Sequence, residues 1–163
     1  MDFAASLHEP FLRRAIELSR LAALEHCTGG AFGAVIVKHG KVVAEGMNRV
    51  VASHDPTWHA EIEAIRMACI TLQHFKLPDC ILYTSAEPCP MCLAACFWAG
   101  IDTVCYAASA EDALRYGEFD DRRIYGQLAL PPAERSITIV QMLRDEAIEV
   151  WKKYAQKSDR IRY

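Results

Sequence analysis

Apolar residues recur at helical spacing between positions 9 and 27, through Phe11, Leu12, Ala15, Ile16, Leu18, Ala22 and Ala23, which predicts a first helix with Pro10 in its opening turn. Gly29 and Gly30 end it. A short apolar run over 31–37, a turn at His39-Gly40 and a second run over 42–46 predict a hairpin. Turn-forming residues at 53–56 precede a second helical pattern over 59–75, carried by Ala60, Ile62, Ala64, Ile65, Ala68 and Leu72. Then come a β-rich run over 80–84, a short helix opening with proline over 90–99, and another strand over 103–107. Residues 111–126 are mixed, predicting a short helix plus loop, and Pro131-Pro132 interrupts the pattern before a candidate strand over 137–143 and a helix over 146–157. Alternating strands and helices predict an α/β fold, a three-layer α/β/α sandwich around a central mixed sheet of about five strands. No repeat or long linker divides the pattern, so a single domain over 1–163 is expected.

Composition narrows the classes of function. No apolar run approaches the roughly 20 residues that span a bilayer, and positions 1–10 lack the basic-then-apolar layout of a signal peptide, so a cytoplasmic location without a membrane partner is expected. The seven cysteines are odd in number and several lie in apolar stretches, which predicts reduced, buried thiols rather than a disulfide framework. The net charge of −3, with no basic run, argues against a partner that presents a phosphate backbone.

The chemistry concentrates in Pro88-Cys89-Pro90-Met91-Cys92 and in His59-Ala60-Glu61, thirty residues earlier. Two cysteines three apart at a helix start can turn both sulfurs to one metal, and the positive helix end favours their thiolates. Alone, a Cys-x-x-Cys pair could equally be a redox couple or two core thiols, and a lone histidine at a helix end is ordinary. Together they match H-x-E…P-C-x-x-C, the zinc deaminase signature. Three ligands, His59, Cys89 and Cys92, leave a tetrahedral zinc one open corner for water, the mark of a catalytic site. A structural zinc would need Cys69, Cys80 or Cys96 as a fourth ligand, but these have apolar neighbours and read as core residues. Glu61 follows His59 by two positions, which on a regular helix would set the side chains on opposite sides; their convergence requires the first turn to be presented end-on to the sheet.

With these residues in place the chain resembles the cytidine deaminase superfamily, and within it the guanine deaminase branch. The likeness runs through 30–37, 55–61 and 83–92, and more specifically through Gly117-Glu118-Phe119-Asp120-Asp121, Ile124-Tyr125, 132–135 and the final Tyr163. Ala86 departs from it, standing where relatives often carry cysteine or a larger residue, which should alter the volume of the pocket wall. The resemblance implies one zinc per subunit, Glu61 as proton carrier, Asp121 as an acidic contact or proton carrier at the amino group, and Asn48 as a base-binding amide. It further implies Phe32 and Trp98 as pocket aromatics, Tyr163 as part of a lid, and a homodimer whose C-terminal segment, about 145–163, is exchanged between subunits. By residue type alone, Asn48 would be a turn former, Phe32 and Trp98 core residues, Asp121 a solvated acid and Tyr163 a frayed end. The implied reaction is hydrolytic deamination of guanine to xanthine and ammonia. Guanosine, cytosine or ammeline would serve the same chemistry, tRNA adenosine would need a basic surface, and a non-enzymatic zinc-stabilised binding protein would need four protein ligands.

Overall fold

The computed structural model of the chain describes residues 5–161, in two compact units that meet at Asp121/Arg122 in the sequence. The first unit opens with α1 (Ala5–Arg20), which runs into a π turn over Leu21–Glu25. The helix begins earlier than its periodicity suggested, so Pro10 lies inside it rather than in its first turn. Proline there gives up one intrahelical N–H bond. Strands β1 (Gly33–Lys38) and β2 (Lys41–Met47) form the hairpin, followed by a single turn α2 (Val50–Ser53), α3 (Ala60–Leu72), β3 (Cys80–Ala86), α4 (Pro90–Ala99), β4 (Thr103–Ala108) and α5 (Ala110–Gly117). No described helix is long and apolar enough to cross a membrane.

The four strands make one mixed sheet in the order β2-β1-β3-β4. β1 is antiparallel to both β2 and β3, whereas β3 and β4 are parallel and joined through α4. Alternate residues of the central strands feed two cores, as the period of two requires. Val35, Val37 and Tyr83 pack against Ala15 and Leu18 of α1. Ala34, Ile36, Cys80 and Leu82 pack against Ala60, Ala64 and Ala68 of α3 and Cys96 and Ala99 of α4. The three-layer sandwich is therefore as expected, with four strands rather than about five. Full burial of side chains such as Ile36, Leu77 and Leu82 stabilises the unit by about 1.5–3 kcal/mol each.

One ion pair ties α1 to the sheet edge: the Arg14 guanidinium donates to both carboxylate oxygens of Glu45 on β2, at 2.7 Å each. The hydrogen bond from Arg14 holds the Glu45 carboxyl below its ordinary range. A lowered carboxylate pKa stabilises the fold above the unfolded-state value, about 4.3, and loses that contribution as pH falls through the folded-state value. Both side chains are partly exposed, so Arg14→Ala should cost at most about 1 kcal/mol at pH 7. In urea titrations the gap between variant and wild type should close as pH falls below about 4; a gap that stayed constant down to pH 3 would refute this account of the pair.

The second unit comprises α6 (Arg122–Ala129), a 3-10 turn at Pro132–Glu134 and α7 (Arg144–Gln156). Arg135 folds back to donate to the carbonyls of Leu130 and Leu128, at 3.1 and 3.3 Å. Residues 137–143, expected as a strand, pair with no strand among the described residues, and Ile137, Ile139, Val140, Met142 and Leu143 are exposed. Their β-branched composition suits a sheet, but a segment with no partner backbone leaves its N–H and C=O groups to water and forms no ladder. Among its described residues the unit buries no apolar side chain. Tyr163 lies outside the described residues.

Candidate functional site

The register of the sheet brings four chain segments to one end. Gly33 pairs with Met47 and Ala34 with Thr84, so the residue before β1, the residue after β2 and the residues after β3 emerge together. They carry Phe32, Asn48, Glu87 and Cys89, and the loop after α5 adds Phe119 and Asp121. These residues line one cavity of about 220 Å³ together with Gly30, Val50, Val51, Pro56, His59, Glu61 and Ala113. Ligands of α/β folds commonly lie beyond the carboxyl ends of parallel strands, here those of β3 and β4.

Two helix N-termini converge on this cavity. His59 is the N-cap of α3 and Cys89 the N-cap of α4, both in extended backbone, and neither side chain is spent on capping its own helix. That resolves the spacing of His59 and Glu61: since His59 precedes the helix, the 100° step between successive helical residues does not act on it, and both side chains reach one site. Pro90 occupies the first helical position, where an N–H would have lacked a partner. His59 Nδ1 lies 3.5 Å from each of the sulfurs of Cys89 and Cys92. A tetrahedral zinc, with Zn–S near 2.3 Å and Zn–N near 2.0–2.1 Å, separates its sulfur and nitrogen ligands by about 3.6 Å. The donor set therefore fits zinc in both type and spacing.

Among the described residues these three are the only group of His, Cys, Asp and Glu placed to share a metal. Cys69, Cys80 and Cys96 pack in or against the apolar core beside α3, as expected, and supply no fourth ligand. All seven cysteines are free. Of the two metal-facing thiols, Cys89 ionises first: hydrogen bonds with Cys92 and His59 hold its pKa down to about 4 against the opposing effect of burial. Cys92 is pushed up, because it hydrogen-bonds to Cys89 and is itself buried. A metal cation favours the thiolate form of both.

Glu61 is only 3% exposed and lies beside the ligand set, one carboxylate oxygen 3.4 Å from the Cys92 sulfur and the other accepting from the Thr84 hydroxyl at 3.2 Å. Burial raises its pKa, so the carboxyl is poised to hold a proton that it can pass on. Thr84 was not among the residues singled out by sequence; inside a β-branched strand run a threonine gives no signal of its own. Glu63, also unanticipated, accepts from the Met47 N–H at 2.7 Å and so ties the first turn of α3 to the end of β2.

Asn48 is buried, and its side-chain oxygen accepts from the backbone N–H groups of Gly30 at 3.3 Å and Val50 at 3.2 Å. With those donors fixing which end is oxygen, the amide NH2 remains as a donor for a ligand in the cavity. Asp121 is half-buried on the same wall, and desolvation raises its pKa. Phe32 lines the cavity, joined by Phe119, which the Gly117–Asp121 block contains but residue type alone does not mark. Trp98 does not join them: it lies on the outer face of α4, 67% exposed, six residues beyond Cys92, because only the N-terminus of that helix points at the site. Ala86 lies behind the Phe32–Phe119 wall rather than in the cavity that His59, Glu61 and Cys89 line.

Residues 5–108 match the family model for the cytidine and deoxycytidylate deaminase zinc-binding region. The chain belongs to this deaminase family. Among deaminases, the guanine deaminase of Bacillus subtilis (strain 168) is 48% identical over 155 residues, covering 93% of this chain and 98% of the relative. The X-ray structure of the Bacillus subtilis guanine deaminase superposes with a TM-score of 0.90 at 46% identity, over 96% of this chain and 98% of that one. A guanine deaminase structure from Nitrosomonas europaea gives a TM-score of 0.64 at 32% identity, over 91% of this chain and 85% of that one. A tRNA-specific adenosine deaminase from Agrobacterium fabrum is 47% identical, but over only 76 residues, 47% of this chain and 50% of the relative.

Proposed function

We propose that the chain is a zinc-dependent guanine deaminase, hydrolysing guanine to xanthine and ammonia. The observation that carries this reading is the His59–Cys89–Cys92 cluster at zinc spacing with the buried Glu61 carboxylate beside it, in a cavity whose other walls offer an amide donor and two aromatic rings. End-to-end similarity to a guanine deaminase at 48% identity supports guanine, whereas the tRNA deaminase sequences match 47–65% of the chain. Zinc in such a site supplies water activated for attack near neutral pH. Glu61 accepts the proton released by that water, delivers it to a ring nitrogen as C2 is attacked, and protonates the departing amine as the C2–N bond breaks. The Asn48 NH2 orients the base by donating to one of its acceptors, and Phe32 bounds its plane. Asp121 contacts the leaving amino group.

The direct test is ammonia release from guanine by purified zinc-loaded protein, with guanosine, cytosine, ammeline and tRNA adenosine alongside. Turnover of one of those and not of guanine would overturn the substrate while sparing the metal chemistry. Asp121→Asn should retain zinc and lose about tenfold in kcat on guanine, less than the roughly hundredfold scale of a principal acid–base group; an unchanged kcat would remove Asp121 from the reaction.

The same reading includes a homodimer with exchange of the C-terminal segment, about 145–163. Leu93, Phe97 and Trp98 on α4 and Met67 and Ile70 on α3 are exposed, and the second unit leaves its own apolar residues uncovered. Exposed apolar side chains on two adjoining helices are suited to association. Light scattering should give twice the mass of the 18.3 kDa chain.

A further inference from the structure

A second cavity of about 420 Å³ lies behind the first and has no part in the chemistry above. The two share Phe32, Ala113 and Phe119 as lining residues, so the aromatic pair is the wall between them. The rings meet edge to face, centroids 5.0 Å apart and planes at 77°. Their seating depends on bare backbone: a Cβ at Gly30 would come within 2.9 Å of the Phe32 ring and 3.0 Å of the Phe119 ring, and one at Gly117 within 2.8 Å of the Phe119 ring. Phe119 follows the left-handed Glu118 that ends α5, and its N–H donates to the Ala113 carbonyl at 3.4 Å. Its backbone is thus placed by the helix end, while its side chain forms, with Phe32, the wall that the two cavities share.

The second cavity owes its volume to small residues: Ala31, Ala86, Ala107 and Ala108 line it. Apart from the Tyr116 hydroxyl, carried on an exposed side chain, its polar side chains are already engaged. Ser19 donates to the Ile16 carbonyl at 2.7 Å, Ser85 accepts from the Gly33 N–H at 3.0 Å, and Asp112 accepts from the N–H and hydroxyl of Ser109 at 2.9 and 2.7 Å. A sugar placed there would exchange water for walls that return few hydrogen bonds, whereas an uncharged aromatic group would lose nothing of that kind.

We propose that Phe119 sets the size limit on the substrate, partitioning the catalytic cavity from a latent subsite suited to an uncharged aromatic substituent on the purine. This rests on the guanine reading, and the reaction on such a base is unchanged: water adds at C2, the C2–N bond breaks and ammonia leaves. Replacing Phe119 by alanine joins the cavities. In an apolar pocket one methylene more or less changes kcat/KM by about 10–200-fold, so a wall that excludes a whole ring discriminates at least on that scale.

The test measures ammonia release and calorimetric binding for guanine, 7-benzylguanine, 9-benzylguanine and guanosine with the zinc-loaded wild type, F119A and A107F/F119A. F119A should gain at least about tenfold in kcat/KM over wild type on one benzylguanine, with no such gain on guanosine. Filling the second cavity from its far side with A107F should abolish that gain while leaving the guanine turnover of F119A unchanged. No gain on either benzylguanine, an equal gain on guanosine, or a gain that survives A107F would each overturn the proposal. If F119A fails to fold, F119V carries the same test. Wild-type inertness toward guanine would instead overturn the substrate reading, and tighter calorimetric binding of a benzylguanine by F119A than by wild type would still decide the partition.

Discussion

Glu61→Gln is expected to keep a full complement of zinc and to lose turnover of guanine by about a hundredfold or more, the scale of general acid–base catalysis. Glutamine matches glutamate in shape, so the Thr84 contact at 3.2 Å and the packing of a side chain that is almost wholly buried should survive. What disappears is the capacity to take a proton in one step and return it in the next. The metal ligands are other residues, so zinc content measured by atomic absorption should equal that of wild type. A variant with near-normal kcat would remove Glu61 from the proton path, and one that lost zinc as well would show that the carboxylate holds the metal set together rather than moving protons.

Cys92→Ala is expected to abolish zinc binding and activity together and to destabilise the fold. The Cys92 side chain is fully buried at the start of α4, where it meets both His59 and Glu61. Losing it takes one of three protein ligands and leaves the Cys89 thiolate without its neighbour. In the wild type, a ligand that binds only the folded state at a thousand times its Kd adds about 4 kcal/mol. For a chain of this size each kcal/mol shifts Tm by about 2–4 °C, so chelation should lower Tm by roughly 10 °C. The alanine variant should already melt near the chelated wild type and should not respond to chelator. If it instead retained one zinc per chain, the three-ligand site would be wrong.

The helices and strands of the first unit were legible because each has its own periodicity: the α3 stripe of Ala60, Ala64 and Ala68 and the runs that became β1, β3 and β4 need only local reading. Where periodicity misled, a long-range partner was at issue. Residues 137–143 have strand composition, but a strand exists only when another backbone pairs with it, and none does among the described residues. Trp98 belongs to the same helix as Cys92, yet the helix buries one against His59 and Glu61 and turns the other outward; its type does not tell which.

By itself the sequence determined the candidate metal set, since His59, Glu61, Cys89 and Cys92 match the zinc deaminase signature in type and spacing. It also determined the sandwich, through the alternation of strand and helix. Only the tertiary structure decided that His59 stands outside its helix as an N-cap, that Thr84 holds Glu61, that the Asn48 oxygen is committed to two backbone N–H groups, and that Phe32 and Phe119 stand between two cavities. The reason is that each of these depends on sheet register and helix-end geometry bringing together residues up to about ninety positions apart, and such distances leave no trace in local periodicity.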